Sequence, residues 1–377
     1  MQAHRQSAIP IEDIAVSAYT IPTDRPESDA TYAWSSTTLV LVEAKAGGKT
    51  SLGYTYADLS TAVLIEESLK PVVARRDAMQ VSASWSAMVE TIRNLGRPGI
   101  ASMAISALDN SLWDLKARLL NLPLITLLGA VRETVPIYGS GGFTSYSVKE
   151  LQAQLGGWVQ EQIPRVKMKI GRDPEADLQR VDAVRTAIGD EAELFVDANG
   201  GYSRKQALQF AYAFEELGVS WFEEPVSSDD LDGLHLLRDN SPPGMEIAAG
   251  EYGYDLPYFQ RMLQSRAVDV LQADVTRCGG MTGFLQTAAL CEANQLPLSA
   301  HCAPAIHAHV GCAARSLRHV EYFHDHARIE DLLFDGNLHP ESGGLTPDLS
   351  RPGIGLEFKR ADAAPYRANL PTTHNLL

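Results

Sequence analysis

The chain has 377 residues, 45% hydrophobic and 21% charged, an ordinary globular composition long enough for one large domain or two linked ones. A net charge of −15 with no basic stripe argues against a nucleic-acid-binding surface. No stretch reaches the roughly 18 apolar residues of a membrane span. The opening "MQAHRQSAIPIEDIAV" lacks the apolar core of a signal peptide, and Cys278, Cys291, Cys302 and Cys312 show no paired spacing, so a cytoplasmic chain with reduced thiols is expected.

Residues 1–130 read as a small α+β domain. The stretch "IPTDRPESDATYAWSS" is polar and carries prolines, with Tyr32 and Trp34 embedded, and reads as a long loop, a lid over about residues 20–35. "TTLVLVEAKAGGKTSLGY" follows as strands turned by Gly47-Gly48, and "GIASMAISALDNSLWDLKARLLN" as a long helix. From 131 to 345 short apolar runs alternate with helices. Ser147 with Glu150, and Ser203 with Gln206, form capping boxes. Asp173-Pro174 opens a third helix, faced by Leu178, Val181, Val184 and Ile188 and closed by Gly189. This alternation implies a parallel sheet, barrel or doubly wound. Residues 346–377 form a C-terminal segment expected to pack back on the first domain.

One apolar run, "VKMKIG", carries two lysines. Side chains alternate along a strand, so Lys167 and Lys169 share one face, which in an isolated Lys-x-Lys would ordinarily be a solvated edge. The ends of the successive runs argue otherwise. Lys169, Asp197, Glu223, Glu251, Asp274, His301 and Glu321 follow one another at intervals of 20 to 28 residues, about one strand-plus-helix unit each. In a parallel barrel such ends converge on one mouth, where the chemistry is kept. The lysines are therefore expected to face the barrel interior.

Asp197, Glu223 and Glu251, from consecutive strands, offer the all-oxygen ligation that suits Mg2+. A cation between Lys169 and His301 could hold a carboxylate substrate and stabilise the enediolate left when a proton departs the α-carbon. Lys167 would lower the pKa of Lys169, favouring its action as a base, and could pair with the substrate carboxylate. Asp274 is placed to fix the tautomer of His301. His307, His309, His324 and His326 lack such partners and read as structural.

Lys-x-Lys, then Asp/Glu/Glu, then an Asp–His pair and a Glu, resembles the mandelate racemase subgroup of the enolase superfamily, over nearly the whole chain. "AISALDNSLWDLKARLLNLPLITLLG", "DANGGY", "FEEP", "CGGMTG" and "RPGIGLEF" are similar to stretches of that family. The resemblance implies an α+β capping domain, a modified TIM barrel of (β/α)7β type, an essential Mg2+ and a homo-oligomer. It makes Lys169 and His301 the two acid/base groups and Glu321 an electrophile hydrogen-bonding the substrate carboxylate. Asn199 becomes a contact to substrate or metal-bound water, and Glu223 rather than Glu224 the ligand. Branches with a lysine where Asp274 stands are disfavoured. The polar lid points away from an aromatic hydroxy acid and toward dehydration of a sugar acid, aldonate or aldarate, to a 2-keto-3-deoxy acid. Racemisation or epimerisation of a 2-hydroxy acid is the alternative, and a non-catalytic sugar-acid-binding barrel a remote one. Selectivity is expected from Tyr32, Trp34 and loops around Thr23–Trp34, Gly53–Tyr56 and Ser140–Thr144.

Overall fold

The computed structural model describes residues 8–370; segments 1–7 and 371–377, and with them the two ends of the expected organisation, lie outside the described residues. An antiparallel sheet comes first. Strand Asp13–Ser28 pairs with Ala33–Ala46, whose other edge takes Lys49–Thr50 and Gly53–Tyr56. Gly47 and Gly48, at φ 53° and 71°, supply the two-residue turn.

The expected lid loop is a β-ribbon. Only residues 29–32 form its turn, with the Asp29 carboxylate accepting the N–H groups of Thr31 (2.6 Å) and Tyr32 (2.7 Å). Pro22 and Pro26 misled the reading. The register slips between Pro22 and Glu27: Pro26 falls inside the slip, where a missing N–H breaks no ladder bond, and Pro22 is the last paired residue before it.

The helix Ile100–Leu120 packs on this sheet so closely that a Cβ on Gly53 would lie 2.2 Å from the Ser111 backbone nitrogen. Its buried polar residues turn toward the barrel. Ser106 accepts the N–H groups of Gly279 and Gly280, Asn110 that of Met281, and Asp109 that of Thr282. A Cβ on Gly280 would lie 2.4 Å from Asp109, so this junction needs glycine. The motifs "ALDNS" and "CGGMTG" thus brace each other. The C-terminal segment joins in: Asp114 accepts the Ile354 N–H at 2.7 Å, and the Ala368 N–H donates to Ala18 at 2.9 Å.

Eight strands, Val135–Gly141, Arg165–Lys169, Glu193–Asp197, Val219–Glu223, Glu246–Ala249, Val270–Ala273, Leu298–Ala300 and Leu317–Phe323, pair in parallel in chain order, and the last closes on the first. Seven helices alternate with them, giving the expected (β/α)7β barrel, and a further helix, His324–Leu333, follows the eighth strand. Both capping boxes are present. On the helix Pro174–Ile188, Leu178 is exposed rather than buried, and Asp177 takes the inward position, accepting the Gly171 N–H and the Tyr202 hydroxyl. The inward layer below the mouth is Tyr138, Phe195, Trp221, Ala248 and Val270, a packed plug. Among the described residues no helix is long and apolar enough to cross a membrane.

Candidate active site

The barrel register sets the charged groups side by side. Lys169 is paired with Asp197, and Asp197 with Glu223, across neighbouring strands. Because inward positions alternate, Lys167 lies two residues below Lys169, with its ammonium 5.3 Å above the Tyr138 ring. Both lysines face the interior. Lys169 contacts Asp197 at 2.5 Å; Lys167 contacts Glu223 at 2.5 Å, Glu321 at 2.8 Å and Asp197 at 3.5 Å. Carboxylate oxygens of Asp197, Glu223 and Glu251 lie within 4.8 Å of one another, all three buried. Glu224, the other acid of "FEEP", is outside that trio; burial, with Glu251, Asp197 and Glu223 nearby, raises its pKa well above the usual carboxylate range.

Lys167 is fully buried, and its partners in this structure are three carboxylates. Removing it would strand Glu223 and Glu321 without their countercharge. Lys167→Met is expected to cost about 3–5 kcal/mol in chelator-treated protein, read by urea denaturation. A change below about 0.5 kcal/mol, the range of an exposed substitution, would contradict this placement.

Asp274 and His301 directly follow the sixth and seventh strands. The His301 Nδ1 bonds Asp274 at 2.8 Å, while Nε2 lies 3.3 Å from Glu251 and 3.7 Å from Glu321. Burial alone would depress the imidazole; the neighbouring Cys302, Glu251 and Glu321 and the Asp274 hydrogen bond outweigh it and raise its pKa well above normal. Asp274 spends its other oxygen on the N–H and hydroxyl of Thr276, both at 2.7 Å. Asp274→Asn keeps that anchor but loses the charge facing the imidazole. A drop of roughly 10–100-fold in kcat is expected by steady-state kinetics, with KM little changed; an unaltered kcat would free His301 from this partner.

Burial would raise the Glu321 pKa, but Lys167 and His301 hold it well below the usual range, and its carboxylate accepts the Cys302 N–H at 3.0 Å. Asn199 lies beyond the end of its strand at φ 42°, so strand alternation does not orient it; its buried Oδ1 has no hydrogen-bond partner.

A cavity of about 440 Å3 opens above these groups, lined by Lys169, Asn199, Glu251, His301 and Glu321 below and by the capping ribbon above. Tyr32 and Trp34 line it, their rings stacked at 6.2 Å. Tyr56 and Phe323 add aromatic faces to a wall that is otherwise mostly polar. Of the expected selecting loops, Ser140–Thr144 does not reach this cavity: Phe143 is core and Thr144 lines a neighbouring hollow. The sequence reading missed Arg277, Tyr252 and Cys302, and it set His326 aside as structural although it lines the cavity. Arg277 and Cys302 lie three and one residues after Asp274 and His301, a proximity that could have found them. His307 is structural as read, with its ring nitrogens on the Val275 N–H (3.0 Å) and the Cys302 carbonyl (2.7 Å).

Residues 13–129 match the family model of the mandelate racemase / muconate lactonizing enzyme N-terminal domain, and residues 150–363 that of the enolase C-terminal domain-like family. A mandelate racemase/muconate lactonizing enzyme-like protein from Rubrobacter xylanophilus, known from its crystal structure, is 57% identical with a TM-score of 0.94, covering 95% of this chain and 100% of that one. The 3,6-anhydro-alpha-L-galactonate cycloisomerase of Streptomyces coelicolor is 31% identical over 93% of this chain and 98% of its own length. The L-talarate/galactarate dehydratase of Salmonella typhimurium LT2, crystallised with Mg and L-lyxarohydroxamate, is 26% identical with a TM-score of 0.89, over 98% of this chain and 95% of that one.

Proposed function

The chain belongs to the mandelate racemase subgroup of the enolase superfamily, and from that premise we propose that it is a Mg2+-dependent dehydratase of a sugar acid. The observation that carries this reading is His301, hydrogen-bonded to Asp274 at 2.8 Å, at the end of the seventh strand of a barrel whose second strand ends in Lys169. Both side chains line one cavity. One can take a proton and the other can give one.

The donor set fits the metal. Three buried carboxylates supply only oxygen, two of them neutralised here by lysine ammonium groups, and Glu251 Oε2 and Asn199 Oδ1 have no hydrogen-bond partner. Asp197, Glu223 and Glu251 would hold the Mg2+, which when bound supplies Lewis-acid stabilisation of the negative charge developing on a substrate carboxylate.

The chain's own residues do the rest. Lys169, once its amine is neutral, removes the α-proton. His301 then gives its Nε2 proton to the departing 3-oxygen, and its Nδ1–H stays on Asp274. The resulting enol tautomerises to a 2-keto-3-deoxy acid. Tyr32, Trp34, Tyr56 and Phe323 can pack on the C–H faces of a polyol chain whose hydroxyls meet Ser36 and Thr37. The likeness to a cycloisomerase favours one variant of this reaction. Where the 3-oxygen belongs to an internal ring, the same two proton transfers open the ring and release no water.

The test is a library of sugar acids screened with Mg2+ for 2-keto acid formation, with product mass separating dehydration from ring opening. Deuterium wash-in at the α-carbon separates both from a barrel that only binds. Failure of every sugar acid to give either keto acid or wash-in would sink the proposal.

A further inference from the structure

We infer that the substrate is a monoacid, with one carboxylate at the reacting end and a neutral polyol tail, and not a diacid. The inference rests on the dehydratase reading above and narrows it. Besides His301, held on Asp274 at 2.8 Å, and His326, two basic side chains line the cavity, Lys169 and Arg277, and both are already matched. Lys169 stands on Asp197 at 2.5 Å; Arg277 lies 3.6 Å from the Glu251 carboxylate and 3.7 Å from Asp274, and donates to the Glu251 carbonyl at 3.1 Å. These cations belong to the end where the first carboxylate is bound.

The opposite wall, where the tail must lie, has a different chemistry. It offers Asp29, Ser36, Thr37, Tyr56, Asp58 and His326. Its two charged side chains are acids, and Asp58 is held ionised by the hydroxyl and N–H of Ser60. His326 adds no positive charge. Its Nδ1 accepts the Ala303 N–H at 3.3 Å, and burial lowers its pKa to about 3, so the neutral ring has one N–H left to donate at Nε2. Of two ribbon-side cations, Arg328 is turned onto the Pro22 carbonyl at 2.8 Å and Asp325 at 2.5 Å, and the other is Arg172. It is turned onto the carbonyls of Asp29 and Tyr32, both at 3.2 Å, and lines the neighbouring hollow instead. A second carboxylate would therefore lose water against acids and hydroxyls with no countercharge to receive it. A chain of hydroxyls loses nothing there that the wall cannot replace.

The experiment compares aldonates with aldarates of the same configuration, such as D-gluconate with D-glucarate and D-galactonate with galactarate. The Mg2+-loaded enzyme is assayed for 2-keto acid formation. In each reacting pair the aldonate is expected to lead in kcat/KM by about tenfold or more, equivalent to about 1.4 kcal/mol. An aldarate turned over as well as or better than its aldonate overturns this inference and leaves the dehydratase reading standing. No keto acid and no α-proton exchange from either class overturns both. Asp58→Asn, which preserves the helix cap, tests the cause: the aldonate-to-aldarate ratio should fall by about threefold. A ratio that does not move would remove the acidic wall as the selecting element.

Discussion

Glu223→Gln is expected to abolish turnover and divalent-cation binding while the barrel stays folded. Glu223 sits between the other two acids of the trio, with one oxygen on the Lys167 ammonium at 2.5 Å and the other on the Trp221 indole N–H at 3.0 Å. Glutamine has the same shape and can still accept one of these bonds, so packing survives. The negative charge does not. Burial and Asp197 raise the Glu223 pKa to about 8, so its ionised form is costly to hold here and would be favoured by a bound cation, a charge that glutamine cannot supply. Loss of several kcal/mol of transition-state stabilisation lowers kcat by roughly 10^3-fold or more. Calorimetric titration with Mg2+ and circular dichroism separate lost binding from lost fold. Native turnover by chelated, metal-free protein would contradict the role given to the three acids.

Lys169→Met should remove proton exchange from one face of the substrate, with a loss of about 10^2–10^4 in turnover. Lys167 does act on Lys169 in the direction read from the sequence, toward a lower pKa. Burial pushes the same way and is the largest single effect, but Asp197, with Glu251 and Glu223, together outweigh both and hold Lys169 above the ordinary lysine value. The amine is therefore protonated and idle as long as it is the countercharge of Asp197. It becomes a base only when that carboxylate is engaged elsewhere, so chelated wild-type protein and the Lys169→Met variant should both fail at this face. Wild-type exchange by Lys169→Met, followed by NMR in D2O, would assign the base to another residue.

Much of this site was legible in the sequence because a parallel barrel converts spacing into position. Residues one strand-plus-helix unit apart arrive at one mouth, and the pleat puts Lys167 and Lys169 on one side. Two kinds of feature were not legible. The ribbon over the mouth has prolines and charges that read as a loop, because its irregularity is a register slip paid out along a sheet edge that only pairing reveals. The charge states were hidden for a related reason. Which ammonium meets which carboxylate depends on contacts across strands, so the 2.8 Å contact of Lys167 with Glu321 could not be read from spacing. His326 needed a third dimension as well: it lies on the helix after the last strand, stacked on Tyr56 from the other domain at 3.4 Å between ring centroids.

The central claim is that two groups on different sides of one cavity divide the reaction, Lys169 taking the α-proton and His301 giving one to the leaving oxygen. The most direct measurement follows both events in His301→Asn with the sugar acid identified by the screen, recording deuterium incorporation at the α-carbon and 2-keto acid formation in the same D2O sample. The expected result is exchange retained and dehydration lost, by about 10^2-fold or more. Dehydration by His301→Asn at the wild-type rate would contradict the division and remove His301 from the mechanism.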